Sequence, residues 1–61
     1  MASLKELRAN KFISQLDLAK KSGVSINTIC RLELGKEKPH FVTVRRLAKA
    51  LGIEPGDIDF K

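Results

Sequence analysis

Apolar residues along this chain recur at three- and four-residue intervals and nowhere in sustained alternation, a pattern that short amphipathic helices produce and strands do not. Leu4 and Leu7 form the first stripe, and Ser3 with Glu6 three residues on has the form of a capping box, so a first helix is expected over about residues 4–11. Ser14 with Asp17 is a second start signal. The helix it opens should run to about Ser22, where Gly23 can enter the left-handed region and end it. Ser25 caps a third helix, about residues 25–34, whose Ile29 and Leu32 point inward and which stops before Gly35.

Residues 36–40 read as a loop, because Pro39 cannot continue a helix and its predecessor avoids the helical region. Val44, Leu47, Ala48 and Leu51 then recur at i, i+3, i+4 and i+7, the buried stripe of a fourth helix that Gly52 closes. Glu54, Pro55 and Asp57 predict a short fifth helix carrying Ile58, since proline suits a first helical turn. The expected fold is all-α, a compact bundle of about five short helices in one domain, 1–61, with no repeat, low-complexity segment or internal linker.

The register of residues 15–33 suits two short helices that cross at a steep angle. A small residue is then needed where one helix faces the other's backbone, which Ala19 supplies, and a positive φ at the bend, which Gly23 supplies at little steric cost. In that arrangement Leu18, Val24, Ile29 and Leu32 fall on the buried side, while Gln15, Ile26, Asn27 and Arg31 are left outward.

Sixty-one residues lie at the low end of what folds alone, where roughly 60% of the unfolded chain's surface becomes buried. The single cysteine, Cys30, permits no internal disulfide, so packing must supply the stability and a reducing, cytoplasmic setting is expected. No apolar run is long enough to span a bilayer, and no membrane role is expected. The net charge of +5 favours a polyanionic partner, and its distribution sharpens that inference. Through Lys49 the chain carries eleven Lys and Arg against Glu6, Asp17, Glu33 and Glu37; beyond it, Lys61 stands against Glu54, Asp57 and Asp59. One Cys and one His, His40, with no second His and no nucleophile motif around either, argue against an enzyme: no catalytic, cofactor-binding or metal-ligating residues are expected, and no cofactor.

The succession Arg8, Ser14-Gln15, Leu18-Ala19, Gly23-Val24-Ser25, Ile29, Glu33, Gly35, Pro39 and Leu47-Ala48-Lys49-Ala50-Leu51-Gly52 resembles the lambda-repressor-like family, the group of Cro and the xenobiotic-response-element regulators, over nearly the whole chain. Departures are Leu32 where that family often has an aromatic residue, His40 where it has Ser or Thr, and apolar Phe12, Leu16, Ile26 and Leu34 where polar or neutral residues are usual. His40 is the weaker cap for the fourth helix.

The resemblance implies a transcriptional regulator, a repressor by preference because occlusion needs only binding, that lays its third helix in the major groove of double-stranded DNA. Ile26, Asn27 and Thr28 would form the tip nearest the bases, with Arg31 four residues beyond Asn27. Asn27 suits adenine, Arg31 guanine and Ile26 a thymine methyl. Gln15 is placed for a phosphate or to brace the recognition helix, Ser25 to cap it, and Lys36 and Lys38 for backbone phosphates. Arg8 and Glu33 match a structural ion pair. Lys20, Lys21, Arg45, Arg46 and Lys49 read as solvated charges. Two copies on a pseudo-palindromic operator, half-sites roughly 34 Å apart, would form a homodimer, either in free solution or only on DNA, with Ile58 and Phe60 as the expected contact. The rival reading is a protein-interaction or antitoxin-like module using Phe12, Leu16, Leu34 and Phe60 as an exposed apolar surface. RNA binding is disfavoured, because Phe12, Phe41 and Phe60 are the only aromatic residues.

Overall fold

A computed structural model of the protein describes residues 2–60. In chain order the elements are β1 (Ala2–Ser3), α1 (Leu4–Asn10), α2 (Gln15–Ser22), α3 (Ile26–Glu33), α4 (Phe41–Leu51), a 3-10 turn (Pro55–Asp57) and β2 (Ile58–Asp59). The three expected N-caps form: the hydroxyls of Ser3, Ser14 and Ser25 accept from the amides of Glu6, Asp17 and Thr28. At Ser14 the box is complete, since the Asp17 carboxylate also accepts from the Ser14 amide. At Ser3 the return bond runs from the Ser3 hydroxyl to the Glu6 carboxylate. His40 makes no side-chain cap to α4.

Gly23 ends α2 at φ 75°, and a Cβ there would meet nothing within 4 Å. Its requirement is therefore the left-handed backbone and not space. The hydroxyl of Ser22, which no sequence signal marks, donates to the Leu18 carbonyl at 2.7 Å and accepts from the Val24 amide at 3.2 Å, tying the bend to the helix before it. The α1–α2 loop uses a costlier device: Phe12, not a glycine, takes φ 56°.

The core consists of Leu4, Leu18, Val24, Ile29, Leu32, Leu47, Ala48, Leu51 and Ile58, with Leu7, Ile13, Ala19, Ala50, Ile53 and Phe60 packed against it. α2 lies at its centre, against both α3 and α4. All four residues expected on the inner side of the α2–α3 pair are buried; of the α4 stripe, Leu47, Ala48 and Leu51 are buried, whereas Val44 is only half-buried.

Several expectations are corrected. Among the described residues the expected five-helix bundle is four α-helices, because the expected fifth helix is a single 3-10 turn over Pro55–Asp57, after which the backbone becomes extended at Ile58. The all-α description also omits a parallel pairing of the two ends, Ala2 with Ile58 and Ser3 with Asp59. Two-residue strands are too short to leave an alternation in the sequence. Of the two residues expected at a contact between copies, Ile58 is 5% exposed and closes the core instead, while Phe60 is half-buried against the same core. The first helix ends at Asn10 and the third spans 26–33, with Ser25 and Leu34 outside as caps. Among the described residues no helix is long and apolar enough to cross a membrane, and no group of His, Cys, Asp and Glu is arranged to hold a metal ion.

Candidate nucleic-acid interface

Glu33, in the last turn of α3, is the residue on which the three N-terminal helices meet. Arg8 of α1 donates through Nε to Oε2 at 2.8 Å and through Nη2 to Oε1 at 3.1 Å, a forked arrangement that fixes orientation as well as distance. Gln15, the first residue of α2, donates through Nε2 to the same Oε1 at 3.1 Å. The remaining arm of Arg8, Nη1, donates to the Ile13 carbonyl at 3.0 Å and so holds the α1–α2 loop as well. The Glu33 side chain is 5% exposed. Burial pushes its carboxyl upward, but the bonds from Arg8 and Gln15 and the charge of Arg8 outweigh that and leave it below its ordinary value. For Arg8 the bond to Glu33 outweighs the cost of burial and raises the guanidinium further above its already high value.

The consequence is a fixed attitude for α3, whose other end is open to solvent. Ser25, Ile26, Asn27 and Arg31 are exposed, and Ile26 retains 41% exposure although it is apolar. Asn27 and Arg31, one turn apart, share a face. Thr28 is half-buried, and its hydroxyl oxygen accepts from the Ser25 hydroxyl at 2.9 Å while the Ser25 oxygen accepts from the Thr28 amide. The side chains at the tip without an internal partner among the described residues are therefore Ile26 and Asn27, with Arg31 behind them.

Gln15 is not on the open edge as a free amide: it is half-buried and engaged with Glu33, which makes it a brace between α2 and α3. Sequence pattern alone leaves that choice open. After α3, the Gly35 amide donates to the Leu32 carbonyl and the Lys36 amide to the Arg31 carbonyl at 2.9 Å, with Gly35 at φ 72°. This double closure occupies the Lys36 amide, so its exposed ammonium is the group it can offer a ligand. Lys38 is likewise exposed. Arg31, Lys36 and Lys38 carry no ion pair among the described residues. Cys30 is a half-buried free thiol on α3.

An α2–α3 pair in contact and joined by the short turn at Gly23, locked by a buried carboxylate and exposing the leading turn of its second member, defines a helix-turn-helix domain. The sequence profile of a helix-turn-helix family matches residues 4–58, and the chain belongs to that family, of the Cro type. An uncharacterized HTH-type transcriptional regulator of Methanocaldococcus jannaschii is 44% identical over 55 residues, which are 90% of this chain and 83% of that protein. One of Methanothermobacter thermautotrophicus is 37% identical over 51 residues, 84% of this chain and 74% of the relative. One of Mycobacterium tuberculosis is 40% identical over 55 residues, 90% of this chain but 22% of the relative, so the chain spans about a fifth of the mycobacterial protein's length. No solved structure is a significant match.

Proposed function

We propose that the chain is a sequence-specific reader of double-stranded DNA that regulates transcription in the cytoplasm, acting as a repressor by occlusion, with residues 1–61 as one reading domain and without chemistry or cofactor. The observation that carries this reading is the open tip of α3, where Ile26 and Asn27 stand exposed on a helix whose far end is clamped through Glu33. The names of the relatives, HTH-type transcriptional regulators, point the same way.

In this reading α3 enters the major groove tip first. Asn27 makes a bidentate pair with adenine, Arg31 with guanine, and Ile26 packs on a thymine methyl, each good bidentate pair supplying about 1–3 kcal/mol of discrimination. Ser25 holds the tip through its cap, with Thr28 fixed beside it. The ammonium groups of Lys36 and Lys38 meet phosphates and set register and salt dependence. Gln15 acts by holding Glu33. Two copies on a pseudo-palindrome provide the affinity that one small domain lacks.

Selection of bound duplexes from a random pool, read by sequencing, tests this. Arg31→Ala should relax the preference at one base position; Lys36→Ala should weaken all sequences alike and flatten the salt slope by about one unit. Recovery of no preferred duplex overturns the reading. It would then favour the protein-interaction alternative, which the exposure of Phe12, Leu16 and Leu34 supports.

A further inference from the structure

We propose that the outer face of α4 is a second contact for duplex DNA, one that grips phosphates without regard to sequence and lies apart from the open tip of α3. Its use in passing the chain from one duplex segment to another rests on the DNA-reading function above; the backbone contact does not.

The site is a groove of about 270 Å³ lined by Val42, Arg45, Arg46 and Lys49, all of them exposed. With 3.6 residues per turn, these positions fall on the side of α4 opposite Leu47, Ala48 and Leu51, which the core uses. Arg45 and Arg46 stand four and three residues before Lys49, so the cations are neighbours on the helix surface and repel one another. No Asp or Glu occurs between Lys38 and Ile53 to offset that repulsion locally. None of the three has an ion-pair partner among the described residues. The Arg45 guanidinium lies over the Phe41 ring, 5.8 Å from its centroid, a contact that leaves its charge unpaired. Charges that the sequence presents as separately solvated are thus gathered into one trough.

The lining identifies the occupant. Three cations with no lining carboxylate call for an anion. A small anion needs converging donors held in place, whereas these side chains are exposed and no hydrogen bond fixes them among the described residues. From Val42 to Lys49 the row extends about 10 Å along the helix, which suits negative charges strung along a line. A single strand would find no aromatic ring among the lining residues to stack on, and Val42 alone offers too little apolar surface for a lipid or the apolar face of a protein. A duplex backbone needs only the cations. α2 packs on both α3 and α4, so the groove and the α3 tip belong to different helices around it and share no residue. A chain with two such surfaces can engage a second duplex segment before it releases the first.

Fluorescence anisotropy of the full chain with a random-sequence duplex, in about 50 to 200 mM salt, tests the contact. Arg45→Gln, Arg46→Gln and Lys49→Gln together should weaken binding about tenfold or more at the lower salt and flatten the logarithmic salt slope by about 2 to 3 units. Lys5→Gln, Lys20→Gln and Lys21→Gln remove the same charge elsewhere and should change that slope by less than about one unit. Circular dichroism and thermal melts like the wild type's would show that both variants fold, as expected for exposed positions. Release of a labelled duplex from the wild type should quicken as unlabelled duplex is added, and from the α4 variant it should not. A folded α4 variant with wild-type affinity and slope, or an equal loss in the Lys5, Lys20 and Lys21 variant, overturns the proposal. So does displacement of the duplex by tripolyphosphate at concentrations comparable to the duplex's own, which would make the groove a small-anion site. A release rate indifferent to added duplex overturns the exchange role. If the slope falls as expected and selection finds no preferred duplex, the α4 contact stands and the DNA reading alone falls; a preferred duplex with an unchanged slope gives the reverse.

Discussion

The α2–α3 half and the C-terminal half of this molecule are built by different means. Around the bend, both helices begin at serine caps, the turn is held by Gly23 and the Ser22 hydroxyl, and a buried carboxylate collects bonds from two other helices. At the start of α4 there is no side-chain cap, and Phe41 and Val42 face outward. The terminal segment is held by a 3-10 turn, a two-residue strand pair and the burial of Ile58. The first region is over-determined by local polar contacts and can present a tip in one attitude. The second leaves apolar surface uncovered. Polar contacts concentrate around the bend, and uncovered apolar surface at the start of α4.

Removing the clamp should break the contrast most severely. Arg8→Ala leaves the Glu33 carboxylate buried and without its cation, and loss of one member of such a pair costs about 3–5 kcal/mol. Urea unfolding should show that loss. Replacing Arg8 and Glu33 together with apolar residues of similar size should recover much of it, because the intact pair contributes little over good packing. An Arg8→Ala protein as stable as the wild type would remove Glu33 from its central place.

Smaller effects sharpen the comparison of the caps. Ser25→Ala should cost about 1 kcal/mol through loss of the Thr28 amide's acceptor, and His40→Ser should stabilise α4 by a similar amount of about 1 kcal/mol by supplying the missing one. Equal and opposite shifts in thermal unfolding would show that the two helix starts differ only in that bond. Phe12→Gly should also stabilise, by about 1 kcal/mol or less, since a left-handed backbone costs an L-residue about 1–2 kcal/mol and glycine's greater freedom when unfolded returns part of that. With Phe12 95% exposed, no packing is lost in the exchange.

The mildest test uses acid. Because the native Glu33 carboxyl lies below its ordinary value of 4.5, the folded state binds fewer protons than the unfolded one near that pH, and stability rises with pH there. The contribution is complete above the ordinary value and is lost as pH falls through the lower native one. Asp17, held down by the Ser14 amide and hydroxyl, adds in the same direction. Arg8→Ala should flatten this acid slope. A slope unchanged by the substitution would assign the pH dependence to other carboxylates.

Much of the α2–α3 half is legible in the order of residues. Ser14, Asp17, Gly23 and Ser25 announce their roles through partners within four residues, and the opposite charges of Arg8 and Glu33 stand at matching places in a resembling family. The points where legibility ends are equally specific. Gln15 has two candidate partners by sequence, and only the approach of α3 settles that its amide meets Glu33. Ile58 looks available because it follows a short turn, yet it closes the core. Helix starts, stops and buried stripes are consequences of local hydrogen bonding and a 3.6-residue period, so the order of amino acids determined them unaided. The pairing of Ala2 with Ile58, the bareness of Phe41 and the sharing of one carboxylate by three helices depend on segments distant along the chain coming together. Those were decided by tertiary packing, which alone sets which polar groups must find partners away from water and which apolar ones are left in it.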